Sequence, residues 1–166
     1  MTSAPDSIHP YGTHMPALAA AVAMARPGPV LELGAGEFST AMLHAICAAT
    51  NRQLVTLDND PAWAARFQSF SSGFHSVDLL ASWDDIPDAL WAVVFVDHGP
   101  AERRKIDIEN LRDKCELIVV HDTEDDRYGY TSDLFASFTY RVDYKRLTPW
   151  TTILSMSRDL SGLADL

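Results

Sequence analysis

The chain has only two cysteines among its 166 residues, Cys47 and Cys115, too few for a disulfide framework. Cys47 lies in an apolar helical pattern and Cys115 opens an apolar run. Both read as buried thiols of a reducing compartment. No apolar run is long enough for a bilayer. The longest, residues 15–25, is Ala-rich, begins with Met15-Pro16 and falls short of the ~20 residues that a spanning helix needs. The first residues carry no basic stretch followed by an apolar core, so a secretory signal is not expected and the cytoplasm is the default location. Positive charge is scarce too. Thirteen Lys and Arg against 23 Asp and Glu give a formal net charge of −10, which argues against a nucleic-acid backbone or an anionic membrane as partner. A neutral or cationic small molecule remains open.

The sequence is otherwise that of an ordinary globular domain. Hydrophobic residues make up 47% of a chain long enough to bury a sizeable core. The most informative stretch is Val30-Leu31-Glu32-Leu33-Gly34-Ala35-Gly36-Glu37-Phe38-Ser39-Thr40. A short apolar run after Pro27-Gly28-Pro29 reads as a buried strand. Gly34 and Gly36 allow a sharp turn and a close approach to a ligand. Ser39 and Thr40 suit the first turn of a helix that continues through Cys47. Strand, glycine turn and helix together form the nucleotide-binding start of a doubly wound α/β fold. A second strand, 53–57, ends at Asp58, roughly 20 residues after Gly36, the spacing at which a carboxylate accepts from both hydroxyls of a ribose. The dinucleotide fingerprint has a third glycine, whose position Ser39 takes here.

The rest of the chain continues the alternation. Residues 1–6 read as a polar tip, and Pro16 starts a helix to residue 25 that Pro27 stops. Asp60-Pro61 caps and opens a helix through residue 70. Strands follow at 74–80, 91–96 and 116–120. The run 91–96 is apolar on both faces, as a central parallel strand should be. Between the last two, residues 101–114 form a charged helix with Ile106, Ile108 and Leu111 as expected core contacts. A polar loop, 123–130, leads to a short helix, 132–138. Two alternating stretches, 139–147 and 151–157, flank Thr148-Pro149-Trp150 and read as an antiparallel hairpin. Residues 158–166 read as a tail. The expected fold is therefore α/β: a Rossmann-like, doubly wound, mostly parallel sheet of about seven strands with a C-terminal antiparallel hairpin. One domain is expected, with an arm over residues 1–27 and a core over 28–157.

In such a sheet, ligands bind at the carboxyl ends of the strands. Five strand ends carry glycine or polar residues after apolar runs: Gly34 to Gly36, Asp58, Asp78 to Trp83, Asp97-His98 and His121-Asp122-Thr123. Among the remaining histidines, His9, His44 and His75 read as structural or surface residues. Glu124-Asp125-Asp126 reads as a solvated acidic loop.

The ordered set Leu31 to Thr40, Val55-Thr56-Leu57-Asp58-Asn59-Asp60, Val93 to Pro100 and Ile118 to Thr123 resembles the class I S-adenosylmethionine-dependent methyltransferases, most of all their small O-methyltransferase-like members. The resemblance covers roughly residues 28–157. It implies S-adenosylmethionine as cofactor, with Gly34, Ala35, Gly36 and Ser39 at its methionine part. Glu32 would orient the ammonium through water, Asp58 and Asn59 would hold the ribose and adenosine, and Trp83, with Asp78 or Asp84, would frame the adenine. Asp97 and Asp122 would converge near the transferring methyl. In catechol-type relatives two aspartates and an asparagine hold Mg²⁺ and a lysine serves as base. Here Thr123 and Pro100 replace the asparagine and the lysine, so Asp97 and Asp122 are left as candidate Mg²⁺ ligands and His98 or His121 as candidate base. The leader would cover the cofactor, placing Tyr11, Thr13 and His14 beside the substrate entrance, with Tyr128 and Tyr130 opposite. An Asp-Pro-Pro-Tyr motif of amino-methylating nucleic-acid enzymes is absent.

The expected activity is methyl transfer to a small-molecule acceptor, most readily at oxygen. The rival from another class is a non-catalytic or partner-dependent module of the same fold, its site completed by a partner subunit or a macromolecular substrate; a homo-oligomer is open as well. A nicotinamide-dependent reductase is a further rival, against which Ser39 and the missing substrate domain count.

Overall fold

Seven strands line up in the order β3-β2-β1-β4-β5-β7-β6, the first five parallel and the last two antiparallel. This is the computed structural model of the chain, and it describes residues 10–166. His9 and the expected polar tip lie outside the described residues. The strands are β1 (Val30–Leu33), β2 (Leu54–Asp58), β3 (His75–Leu79), β4 (Trp91–Val96), β5 (Cys115–His121), β6 (Tyr140–Tyr144) and β7 (Thr151–Ser155). The helices are α1 (Met15–Met24), α2 (Ser39–Thr50), α3 (Pro61–Phe67), α4 (Arg104–Leu111) and α5 (Ser132–Ala136). Every residue of β1 and β4 is buried, which is why both read as continuous apolar runs rather than alternating ones.

Two cores flank the sheet. On one side α1 and α2 cover Val30, Val93, Phe95 and Val119; on the other α4 and α5 cover Leu31, Val94, Ile118 and Leu154. Asp60 caps α3 with Pro61 in the first turn, as its sequence prescribes: its carboxylate accepts from the backbone of Ala62 and Trp63. Helix α1 ends on a buried arginine. Arg52 donates to the carbonyls of Val22, Ala25, Arg26 and Gly28, so one guanidinium satisfies the groups that a helix C-terminus leaves open. Among the described residues, no helix is long and apolar enough to cross a membrane.

Two expectations are corrected. Residues 158–166 pack rather than trail: Leu160 and Leu163 are buried against the α1 side of the core. In α4, Ile106 is exposed, while Arg104 and Asp107 are buried beside Ile108 and Leu111. The order β1-β4-β5 puts three strand ends side by side at the carboxyl edge, and the cleft described next lies there.

Candidate functional site

A cleft of about 750 Å³ runs over the ends of β1, β4 and β5. Its walls include Ala35, Gly36 and Ser39 at the glycine turn, Asp97 after β4, and His121 and Asp122 at the end of β5. The glycine turn is fixed from several sides. Gly34 has φ +92°, and a Cβ there would stand 2.7 Å from the Asp97 carbonyl oxygen and 2.8 Å from His98 Cα. The glycine is thus required by the approach of the β4 end, which it lets settle against β1. Ala35 N–H donates to Asp58 Oδ2 at 2.9 Å, and Asp60 N–H to Asp58 Oδ1 at 2.9 Å. Trp63 of α3 closes over the turn, its indole N–H donating to the Ala35 carbonyl at 2.6 Å.

Glu32 lies beneath this turn with no solvent exposure. Its Oε2 accepts from Thr40 at 2.9 Å and from Thr56 at 2.7 Å, while Gly36 N–H donates to Thr40 Oγ1. Burial pushes the Glu32 carboxyl up to about 7, against the hydrogen bonds from Ser39, Thr56 and Thr40 that favour its ionised form. Thr56 spends its proton on Glu32 and therefore accepts from His75 Nε2 at 2.9 Å; His75 Nδ1 then accepts from His44 Nδ1 at 3.0 Å. A chain of hydrogen bonds thus runs from α2 to the glycine turn.

The β4 and β5 ends meet around one cation. Arg104 lies 2.9 Å from Asp97 Oδ1 and 3.1 Å from Asp122 Oδ2, with its Nε donating to the His98 carbonyl at 2.6 Å and its guanidinium 4.2 Å over the Tyr128 ring. The other oxygen of Asp97 faces His121 Nδ1 at 3.3 Å. Burial alone would raise the Asp97 carboxyl, but His121 and Arg104 outweigh it and hold the group below its ordinary range. Burial likewise works against charge on His121, and Asp97 and Asp122 outweigh it, so this imidazole protonates above its ordinary range. His14 enters from the start of α1, with its ring edge-on to His121 at 4.8 Å. Burial pushes the Tyr128 phenol up to about 12, although Arg104 pulls it down, so Tyr128 can donate but not act as a base.

The cleft gathers many of the expected residues. Ala35, Gly36, Ser39, Asp97, His121, Asp122, Tyr11, His14 and Tyr128 border it. Glu32 and Asp58 lie just behind its surface, engaged with the glycine turn, and Asn59 is exposed outside its lining. Three placements are corrections. His98 turns away from the cleft: its Nε2 bonds Asp107 at 2.9 Å and its ring stacks 4.1 Å from Trp83. Burial lowers its pKa despite Asp107, and it does not line the cleft. Trp83 therefore packs behind β4, donating to the Gly99 carbonyl, and does not border the cleft. Tyr130 stacks behind Tyr128 at 5.6 Å and packs on Phe135. The Mg²⁺ expected between Asp97 and Asp122 meets a different occupant, because the Arg104 guanidinium already bridges the two carboxylates.

Among the cleft residues that the sequence reading does not single out, two stand at its centre. Arg104 is one, and its signal was available: Arg104, Ile108 and Leu111 fall on one helix face at spacings of four and three. Trp63 is the other; it follows the Asp60 cap by three residues, and only the packing of α3 shows that it reaches Ala35. Glu124 and Asp125, expected in a solvated loop, line the cleft, with Glu124 accepting from Trp150 N–H at 2.7 Å.

The sheet order and this edge have counterparts among solved structures. The fold is that of the class I methyltransferases. Human methyltransferase-like protein 13 in complex with SAH superposes with a TM-score of 0.64 at 15% identity, over 92% of this chain and 86% of that one. The C-terminal domain of precorrin-6Y C5,15-methyltransferase from Rhodobacter capsulatus gives 0.57 at 16% identity, over 85% and 86%. A methyltransferase from Pyrococcus furiosus gives 0.54 at 14% identity, over 94% and 88%. The sequence matches no protein-family model and no curated protein.

Proposed function

We propose that the chain is an S-adenosylmethionine-dependent methyltransferase that acts on a small molecule at an oxygen atom. One observation carries this reading: the cleft joins the backbone of the Gly34–Gly36 turn to the ionised Asp97 across adjacent ends of β1 and β4. The turn holds the methionine part of the cofactor, with Glu32 behind it. Asp58 keeps a free lone pair on each oxygen for the ribose hydroxyls, beside Asn59. Trp63 borders the adenosine end, in the place first expected for Trp83. The acceptor enters between Tyr11 and Tyr128 and meets the methyl group near Asp97 and His121. The sulfonium is already activated, so alignment of donor and acceptor supplies much of the rate. Asp97 and Asp122 favour the protonated form of His121 over its role as a base, so an acceptor hydroxyl that is acidic, or acidified in the site, fits best.

Replacing Asp58 by Ala tests the cofactor assignment. Affinity for S-adenosylhomocysteine should fall by more than tenfold, on the scale of about 1.5–3 kcal/mol for lost charge-assisted hydrogen bonds. Unchanged affinity in a folded variant would remove Asp58 from the cofactor site. A labelled methyl donor offered with phenols, catechols and hydroxy acids then tests turnover.

A second reading is favoured by the same carboxylate. Both Asp58 oxygens already accept from backbone N–H groups, and the Trp63 indole is bonded across the turn, so the turn is held in place by the protein's own groups. The chain would then be a binding or partner-dependent module of the same fold. Cofactor binding without transfer to any acceptor would favour it.

A further inference from the structure

Among the described residues, His14 is a buried imidazole without a hydrogen bond. It is 1% exposed, and neither ring nitrogen has a hydrogen-bond partner there. Buried polar groups are nearly always paired, so this ring needs a reason. It rests on Phe95 at 4.8 Å and edge-on to His121, in the wall of the cleft. Its nearest ligating neighbours are Asp97 and His121. One ligand atom from each of the three residues falls within 4.8 Å of the others.

The tautomer of His121 sharpens the point. Thr13 has one hydroxyl proton and donates it to the Pro149 carbonyl at 2.8 Å. Thr13 Oγ1 must therefore accept from His121 Nε2–H at 3.0 Å. The Nδ1 lone pair is left facing Asp97 Oδ2 at 3.3 Å and Asp122 Oδ1 at 3.5 Å. A lone pair between two carboxylates needs a cation, either a proton or a metal ion. The spacing suits a metal: two ligands with bonds of about 2.1 Å at tetrahedral angles stand roughly 3.4 Å apart. The outer partners suit it as well. His121 is oriented by Thr13, and the second oxygen of Asp97 is held by Arg104, as ligands of metal sites commonly are.

We propose that His14, His121 through Nδ1, and Asp97 through Oδ2 form a binding site for a divalent transition metal in the wall of the cleft, with coordination positions left open toward it. His14 completes the set by turning its ring toward the other two. Two imidazoles and one carboxylate suit Zn²⁺, Fe²⁺ or Co²⁺, whereas Mg²⁺ prefers oxygen donors. This donor set differs from the Asp97–Asp122 pair, whose shared position Arg104 fills. The site stands on its own geometry, but its role rests on the methyl-transfer reading. In that role the acceptor oxygen takes an open position and loses its proton to solvent. It then forms the O–CH₃ bond as the S–CH₃ bond breaks, and the sulfonium leaves as a thioether. The metal would supply the acidification that the protein's own groups do not.

The test is a titration of the metal-stripped chain with Co²⁺ under anaerobic conditions, read by visible d–d absorption. One equivalent should bind, a millimolar excess of Mg²⁺ should not displace it, and His14→Ala or Asp97→Asn should weaken it by about tenfold or more. Asp97→Asn keeps the side-chain shape, so its effect is readable if His14→Ala does not fold. His44→Ala, outside the site, should leave the titration unchanged. No saturable absorption, or an equal loss in His44→Ala, would overturn the site. S-adenosylhomocysteine titrated into the same samples separates the two ideas. Co²⁺ binding without cofactor binding keeps the site and sinks the methyl-transfer role. Cofactor binding without Co²⁺ binding sinks the site alone.

Discussion

Arg104 holds Asp97 by a contact of 2.9 Å between Nη2 and Oδ1, and the same side chain reaches Asp122 on the neighbouring strand. The guanidinium is only 6% exposed, so the pair is an internal tie between α4 and the ends of β4 and β5. With His121 it holds the Asp97 carboxyl below its ordinary range, and it fills the place where a metal between the two aspartates would sit.

Removing that tie should therefore be costly. Arg104→Met keeps much of the volume and leaves two partly buried carboxylates without their cation. The expected loss of stability is about 2–4 kcal/mol, below the full cost of a broken buried pair because both aspartates retain some solvent contact. Urea unfolding with far-UV detection measures it. A loss under about 0.5 kcal/mol, the range of ordinary surface changes, would show that Arg104 is not structural.

Gly34 and Gly73 should respond differently to the same substitution. At Gly34 an Ala side chain meets both a positive φ and the backbone of Asp97 at 2.7 Å. The expected cost is about 3 kcal/mol or more, with loss of cofactor binding as the β4 end is pushed out. At Gly73 a Cβ meets nothing within 4 Å, and Ala should change stability by no more than about 0.5 kcal/mol. Similar values at the two positions would contradict the packing of β1 against the end of β4.

Glu32 sets a pH dependence with a definite sign. Its carboxyl sits at about 7 in the folded chain against an ordinary 4.5, so the folded state binds more protons between these values. The stability that this group contributes is full below the unfolded value and is lost as pH rises through 7. His75 acts in the opposite sense: burial, with His44 adding to it, lowers its pKa from 6.5 to about 4, so its contribution is full above 6.5 and is lost toward 4. Glu32→Gln isolates the first effect. Relative to the natural chain, the variant should gain about 2–3 kcal/mol between pH 5 and 8, since one pKa unit is worth about 1.4 kcal/mol. A difference that does not vary with pH would contradict a buried Glu32 whose carboxyl is raised to about 7.

Much of this architecture was legible in the sequence because its main signals are local. Continuous apolar runs marked β1 and β4, Asp60-Pro61 marked the start of α3, and alternation around Pro149 marked the hairpin. The orientation of individual side chains at the strand ends was harder to read. Asp97 and His98 are adjacent just past the end of β4, yet they turn to opposite sides, Asp97 into the cleft and His98 onto Asp107 and Trp83. His121 and Asp122 are adjacent too, yet both border the cleft, because Asp122 has φ +58° and breaks the alternation. A left-handed aspartate is uncommon, and nothing in the local sequence announces it. Arg104 was hidden differently. In a helix crowded with charge, the inward arginine is identified by its phase with Ile108 and Leu111, not by its type.

The most direct test of the account is isothermal titration of the natural chain with S-adenosylhomocysteine, with NADH in a parallel cell. Saturable micromolar binding of S-adenosylhomocysteine and none of NADH is the result predicted for a methyl-donor cleft over the Gly34–Gly36 turn. Binding of NADH, or no heat with either compound from a folded sample, would contradict it.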